Sequence, residues 1–346
     1  MNAVSWPTQL RASPELFPID LQPATDAVAL VQLSRIDYEK ASFLDTRLER
    51  RPVALPPFAE LEAAAAGAPV ACDYIFHTGH VGSTLLSRLL GTHPRVFSLR
   101  EPLALRTFAQ AAADQTPWPP AELSRRMAVF MALYSRTWTT DQRSLVKATS
   151  MVGEIAGPLL TLDPAAQALL MTVSAETYLA TILGGPNSRI ELKAAAPGRL
   201  ARLTRRLGAP VARLDDLSEG EVAAMSWACE ASALAACARA HPARCAWIDF
   251  DRFLDDPGGG LAAALTSLHG AADPAEVERL ATSAYFDRYS KAPEYAYGPT
   301  VRRQTLEAAR QAFGPEIRKG LAWLEAARQD GPLGAALDLV ETMHVA

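Results

Sequence analysis

Residues 74–94 read Tyr-Ile-Phe-His-Thr-Gly-His-Val-Gly-Ser-Thr-Leu-Leu-Ser-Arg-Leu-Leu-Gly-Thr-His-Pro. The run from Tyr74 to His77 has the length and apolarity of a buried strand, and Gly79 and Gly82 mark a tight turn after it. Leu85, Leu86, Leu89 and Leu90 then recur at helical spacing. Ser87 and Arg88 fall on the opposite face, and Gly91 is placed to cap the C-terminus. A strand, a glycine turn and a helix in this order form a phosphate-binding element. The glycines let successive N–H groups point inward, the helix N-terminus adds partial positive charge, and Ser83 and Thr84 add hydroxyl donors. Each charge–dipole contact contributes only about 0.3–1 kcal/mol. Binding therefore needs Gly79, His80, Val81, Gly82, Ser83 and Thr84 to converge on one phosphate.

Outward from this loop, strand-length apolar runs recur at Asp73–His77, Ser144–Lys147, Ala168–Thr172 and Cys245–Phe250, with helical patterns between them. That alternation predicts βαβ units: an α/β fold with a central parallel sheet flanked by helices. Helix starts are signalled at Pro119-Pro120-Ala121-Glu122, at Asp163-Pro164 and at Ser218-Glu219. Residues 274–346 read as a helical C-terminal part, interrupted by a Tyr- and Pro-bearing loop at 289–300. Residues 1–66 are punctuated by prolines at 7, 14, 18, 23, 52, 56 and 57, with one helical patch from Ala27 to Phe43. They read as an appended segment without assigned chemistry, and 67–346 as the α/β domain.

Apolar residues make up 49% of the 346, enough for a large core, and the formal net charge of −4 lacks the basic excess of a nucleic-acid binder. The most apolar stretch, Leu61–Phe76, is interrupted by Glu62 and Asp73 and is too short to span a bilayer. No signal peptide is legible, so no membrane partner and a cytoplasmic location are expected. Cys72, Cys229, Cys237 and Cys245 show neither a CxxC pair nor metal spacing; reduced thiols and no metal site are expected.

An ATP-type loop requires a lysine after its last glycine, but Gly82 is followed by Ser83. The segment His80-Val81-Gly82-Ser83-Thr84, followed by His93-Pro94, instead resembles the 5′-phosphosulfate loop of the sulfotransferase family. Val96–Glu101, Val146-Lys147-Ala148 and Trp247–Phe250 with Asp255-Asp256-Pro257 look like later parts of the same family pattern, so the resemblance covers roughly residues 70–270. It implies a three-layer P-loop-like fold, 3′-phosphoadenylyl sulfate as donor without a metal, and a small-molecule, glycan or peptide acceptor bearing a hydroxyl or amine. The acceptor is expected under 103–135 and 285–300.

The resemblance also implies site roles. The catalytic residues would be His80, where the family places a cation, Glu101 as general base, and Lys147 as a further cation. Arg88 is a rival cation that otherwise reads as a helix-surface charge, and Glu101 otherwise reads as a surface partner of Arg100. His77 and His93 read as structural. Two departures from the family stand out: histidine replaces Lys or Arg at position 80, and Thr172-Val173-Ser174-Ala175-Glu176 lacks the arginine that holds the donor's 3′-phosphate. Ser174 and Thr181 are the expected substitutes, then Arg189 and the loop Arg288-Tyr289-Ser290-Lys291. Arg318-Lys319-Gly320 matches a family motif but sits in an amphipathic helical pattern, so it is read as coincidence. Gly82→Val is expected to block the phosphate while leaving the fold intact. The alternative function is a non-catalytic or phosphotransferase-like P-loop nucleotide-binding protein.

Overall fold

The computed structural model describes residues 5–288, 298–329 and 332–345. Among the described residues, seven strands form two sheets. The first is an antiparallel hairpin of β1 (Leu16–Gln22) and β2 (Ala27–Gln32). The second contains β3 (Cys72–His77), β4 (Val96–Arg100), β5 (Arg143–Lys147), β6 (Ala168–Thr172) and β7 (Cys245–Asp249), all parallel, in the order β4-β5-β3-β6-β7. β3, β5, β6 and β7 lie where the apolar runs predict them, and β4 lies where the resemblance implies a strand.

β3 and β6 are buried at every position, which is why they read as unbroken apolar runs. Cys72, Tyr74 and Phe76 face one core, whereas Ile75 faces the other. Helices Leu103–Asp114 and Pro120–Tyr134 pack on the first face. Helices Ser83–Leu90, Ala175–Gly184 and Glu219–Ala240 pack on the second, completing three layers. After β3 the chain builds β4 and β5 on one side, then crosses to build β6 and β7 on the other. The C-terminal end of β3 is therefore the topological switch point, where open α/β sheets bind ligands.

Residues 5–66 share the first core. Phe17 stacks on Tyr134 with centroids 5.1 Å apart, and the Tyr134 hydroxyl donates to Pro18 O at 3.0 Å. Arg136 donates to the carbonyls of Leu10, Ser13 and Leu16. The helix expected over Ala27–Phe43 is in fact two elements. Ala27–Gln32 is β2, because the apolar Val28–Val31 run packs as the hairpin's second strand after a turn with Asp26 at φ 54°. Only Arg35–Lys40 is helical, started by a Ser34/Asp37 capping box.

The helix starts at Pro120, Glu219 and Pro274 are observed. Asp163-Pro164 is not one. The Asp163 carboxylate binds Arg143 at 2.5 Å and the Ala165 N–H at 2.9 Å, making a turn into β6. Arg318-Lys319-Gly320 lies within the helix Pro299–Gln329, where Gly320 packs directly on Gly220 and Leu179. A side chain there would collide with the helices Ala175–Gly184 and Glu219–Ala240, so packing accounts for the glycine. Among the described residues no helix is long and apolar enough to cross a membrane.

Candidate nucleotide and transfer site

The turn after β3 has the backbone that an anion cradle needs. Gly79, His80 and Gly82 take φ of 94°, 56° and 65°, so three of the four residues 79–82 have positive φ ahead of the helix Ser83–Leu90. A histidine at positive φ is uncommon, and its presence here shows that the loop's shape is dictated by its surroundings. His77 supplies one constraint. Its Nε2 contacts the Ala148 carbonyl at 2.8 Å and its Nδ1 accepts the Gly79 N–H at 3.0 Å. A carbonyl only accepts and an amide N–H only donates, so this pair of partners sets the Nε2–H tautomer. His77 thus pins the loop to the end of β5, in the structural role expected of it. The Gly79 N–H is spent on that bond.

Ser83 and Thr84 are 5% and 1% exposed, and the Thr84 Oγ1 is buried without a hydrogen-bond partner. An orphaned hydroxyl in the first turn of a helix is costly unless a ligand oxygen meets it. Gly82 has a different reason for being glycine than the sequence suggests. A Cβ there would lie 2.6 Å from Phe250 Cδ2 and closer still to two other ring carbons. Phe250 follows β7, so the loop is clamped from the far side of the sheet. The expectation that Gly82→Val spares the fold is therefore corrected: the added side chain meets Phe250, whether or not a phosphate is present.

Two expected catalytic groups meet each other. Glu101 and Lys147, at the C-terminal ends of neighbouring strands, form an ion pair through Glu101 Oε1 and Lys147 Nζ; the residues are 8% and 1% exposed. The Glu101 N–H also donates to the Lys147 carbonyl at 2.6 Å, and Glu101 itself sits at φ 51°. The alternative of an Arg100–Glu101 surface pair is excluded. Arg100 is buried and points the other way, donating to the carbonyls of Tyr38, Glu39 and Ala41. Arg88 is likewise no surface charge. It is 4% exposed and binds the carbonyls of Glu39 and Lys40 and the hydroxyl of Ser42, and burial pushes its guanidinium below the ordinary arginine pKa. The face of the helix that reads as polar is thus buried against the C-terminal end of Arg35–Lys40, whose free carbonyls attract cations.

A cavity of about 590 Å³ opens over the loop, with His80, Ser83, Thr84 and Lys147 on one side. This volume suits a nucleotide-sized ligand. Its lining also includes an apolar wall of Phe250, Leu254 and Phe286, and Thr181, Ser188, Arg288 and Arg302. Arg302 was not singled out from the sequence. It lies in the first turn of the long helix Pro299–Gln329, with its guanidinium 5.1 Å above the Phe250 ring. Its Nη1 makes a 2.5 Å ion pair with Asp251 Oδ1, off the hydrogen-bond line, and its buried Nη2 has no hydrogen-bond partner. The only sequence signal for it is a positive charge one turn into a helix, which many surface arginines share.

Of the residues expected to hold a second phosphate, Thr181 and Arg288 line the cavity. Thr181 already donates to Thr177 O at 2.7 Å. Ser174 does not line it, because its hydroxyl caps the helix Ala175–Gly184 by accepting the Thr177 N–H. Arg189 is drawn away into a 2.7 Å pair with Glu219. Tyr289, Ser290 and Lys291 lie outside the described residues. His93 stacks on His269 with centroids 5.3 Å apart, away from the cavity, and burial lowers its pKa. No group of three or more His, Cys, Asp or Glu side chains among the described residues is arranged to hold a metal ion.

No protein family's sequence model matches the chain, and no curated protein matches it. Solved structures similar to it include three sulfotransferases. One is a sulfotransferase domain from the curacin biosynthetic pathway, at 12% identity and TM-score 0.43, covering 71% of this chain and 98% of that one. Another is the sulfotransferase domain of the Synechococcus PCC 7002 olefin synthase, at 12% identity and TM-score 0.38, covering 72% and 96%. A third is a sulfotransferase from Alicyclobacillus acidocaldarius, at 13% identity and TM-score 0.36, covering 73% and 94%.

Proposed function

We propose that the protein transfers a sulfuryl group from 3′-phosphoadenylyl sulfate to a hydroxyl or amine of an acceptor. The observation that carries this reading is the cavity in which an anion cradle with an unmet Thr84 hydroxyl shares its wall with Lys147, the ammonium of a buried ion pair whose carboxylate, Glu101, does not itself line the cavity. In this reading the N–H groups from Val81 to Thr84 and the hydroxyls of Ser83 and Thr84 hold the donor's 5′-phosphate. His80 and Lys147 neutralise charge on the bridging oxygen as its bond to sulfur breaks. The acceptor oxygen or nitrogen bonds to that sulfur, and its proton passes to Glu101. The transition state is loose, so positioning and charge neutralisation supply most of the catalysis. Lys147 orients Glu101 through Oε1, which leaves Oε2 toward the acceptor.

The adenine fits the apolar wall of Phe250, Leu254 and Phe286. The 3′-phosphate fits the unpartnered Nη2 of Arg302, with Arg288 beside it, in place of the missing family arginine. Thermal shift tests the nucleotide assignment. Adenosine 3′,5′-bisphosphate should stabilise the protein without Mg²⁺, and Ser83→Ala with Thr84→Ala should abolish the shift. A double variant stabilised as much as the parent would remove the loop from the binding site.

Arg302 has its own signature. Arg302→Gln should weaken adenosine 3′,5′-bisphosphate by about 10- to 100-fold, the range for losing a charged hydrogen bond. Adenosine 5′-phosphate, which lacks the 3′-group, should lose far less. Calorimetry with the two nucleotides separates this result from general damage to the pocket, which would weaken both alike.

A further inference from the structure

Next to Glu101 lies a charge cluster that neither the phosphate loop nor the nucleotide wall uses. Asp45, 2% exposed, accepts the Arg47 N–H at 3.0 Å, Arg47 Nε at 2.9 Å and Arg106 Nη2 at 2.6 Å. Burial alone would raise the Asp45 pKa, but its bonds to Arg47 outweigh this and hold it below the usual carboxylate range. One carboxylate thus fixes two guanidinium groups, leaving a local surplus of one positive charge. Arg47 is stacked on the Phe43 ring, its Cζ 3.3 Å from the centroid. Its Nη2 is 3.9 Å from Glu101 Oε2, the carboxylate oxygen that Lys147 does not take. Arg106 presents a buried Nε with no hydrogen-bond partner, and the two side chains remain 52% and 36% exposed.

Neutralising a buried aspartate takes one cation. A second one beside the transfer site, with donors left over, needs another explanation. Stacking and the shared carboxylate hold both planar groups in place, so an arriving oxyanion meets donors whose rotamer freedom is already spent. We propose that Arg47 and Arg106 form an acceptor-side anion site. The acceptor then carries a compact oxyanion, a carboxylate in the simplest case, close to the hydroxyl or amine from which Glu101 takes the proton. This rests on the sulfuryl-transfer reading for the word acceptor, but the anion site itself stands on the cluster's geometry.

The test uses a matched pair of probes, 4-hydroxyphenylacetate and its neutral amide, titrated by calorimetry into protein saturated with adenosine 3′,5′-bisphosphate. The parent should bind the acid about tenfold more tightly than the amide, as expected for one charge-assisted contact. Arg47→Gln with Arg106→Gln should bring the two affinities together. That double variant leaves Asp45 buried without a cation; if it does not fold, adding Asp45→Asn removes the stranded charge and carries the same comparison. Titrated without the bisphosphate, which it should no longer bind, Ser83→Ala with Thr84→Ala should keep the preference for the acid, because the phosphate loop is a separate site. Equal binding of acid and amide by the parent, or an acid preference that survives loss of both arginines, overturns the proposal. If the bisphosphate does not bind at all, the titration is run without it. An acid preference that then depends on Arg47 and Arg106 upholds the anion site while the sulfuryl-transfer reading falls.

Discussion

Gly82→Val should cost about 2–5 kcal/mol of unfolding free energy, from the positive backbone angle and from forced overpacking. The site of the collision is known: Phe250, which closes on Gly82 from the end of β7. Denaturant unfolding measures the loss, and a double-variant cycle locates it. Phe250→Ala removes the ring, so Gly82→Val in that background should cost well under half as much as in the parent. What remains is the strain of a β-branched residue at φ 65°. If the cost is the same in both backgrounds, Phe250 does not clamp the loop. Any nucleotide-binding defect of Gly82→Val must be read against this destabilisation.

Glu101→Gln should lower turnover by roughly 100-fold or more, the range for a positioned general base, while the affinity for adenosine 3′,5′-bisphosphate stays near the parent's. Turnover is followed with any hydroxyl or amine acceptor found in a panel supplied with 3′-phosphoadenylyl sulfate. Equal losses in turnover and nucleotide affinity would show that Glu101 organises the pocket and takes no proton. The ion pair makes a second, independent demand. Lys147→Met strands a buried carboxylate and should destabilise the fold by about 3–5 kcal/mol, as when one partner of a buried pair is removed. Adding Glu101→Gln to Lys147→Met should recover much of that stability without recovering turnover. A single Lys147→Met variant as stable as the parent would mean that the pair is solvated.

The two effects share a cause in the sheet order. The Glu101 and Lys147 side chains meet because β4 and β5 are parallel neighbours in a register that places Arg100 opposite Lys147. Glu101 then takes the next position, just past the strand. Phe250 reaches Gly82 because the chain turns at the end of β7 toward the loop that follows β3.

The amino-acid sequence by itself determined the elements whose physics is local. The central strands β3 and β6 are legible because a strand buried on both faces reads as a nearly unbroken apolar run. The phosphate loop is legible because inward N–H groups at a helix start require glycines and small hydroxyl residues within a few positions of one another. Pairing between distant segments was decided only by the tertiary structure. Arg88 sits on the face of its helix that reads as polar, yet a separate helix covers that face with its carbonyl ends. Ser174 reads as a phosphate ligand by residue type, but a helix cap uses its hydroxyl first. Arg302 becomes a candidate ligand only where Asp251 and Phe250, some fifty residues earlier, hold its guanidinium in the cavity. Asp45, Arg47 and Arg106 come together beside Glu101 only because residues 43–48 fold back against the end of β4. A residue's type limits which bonds it can make. Which of them it does make depends on what folding brings within about 3 Å, and spacing along the chain carries no record of that distance.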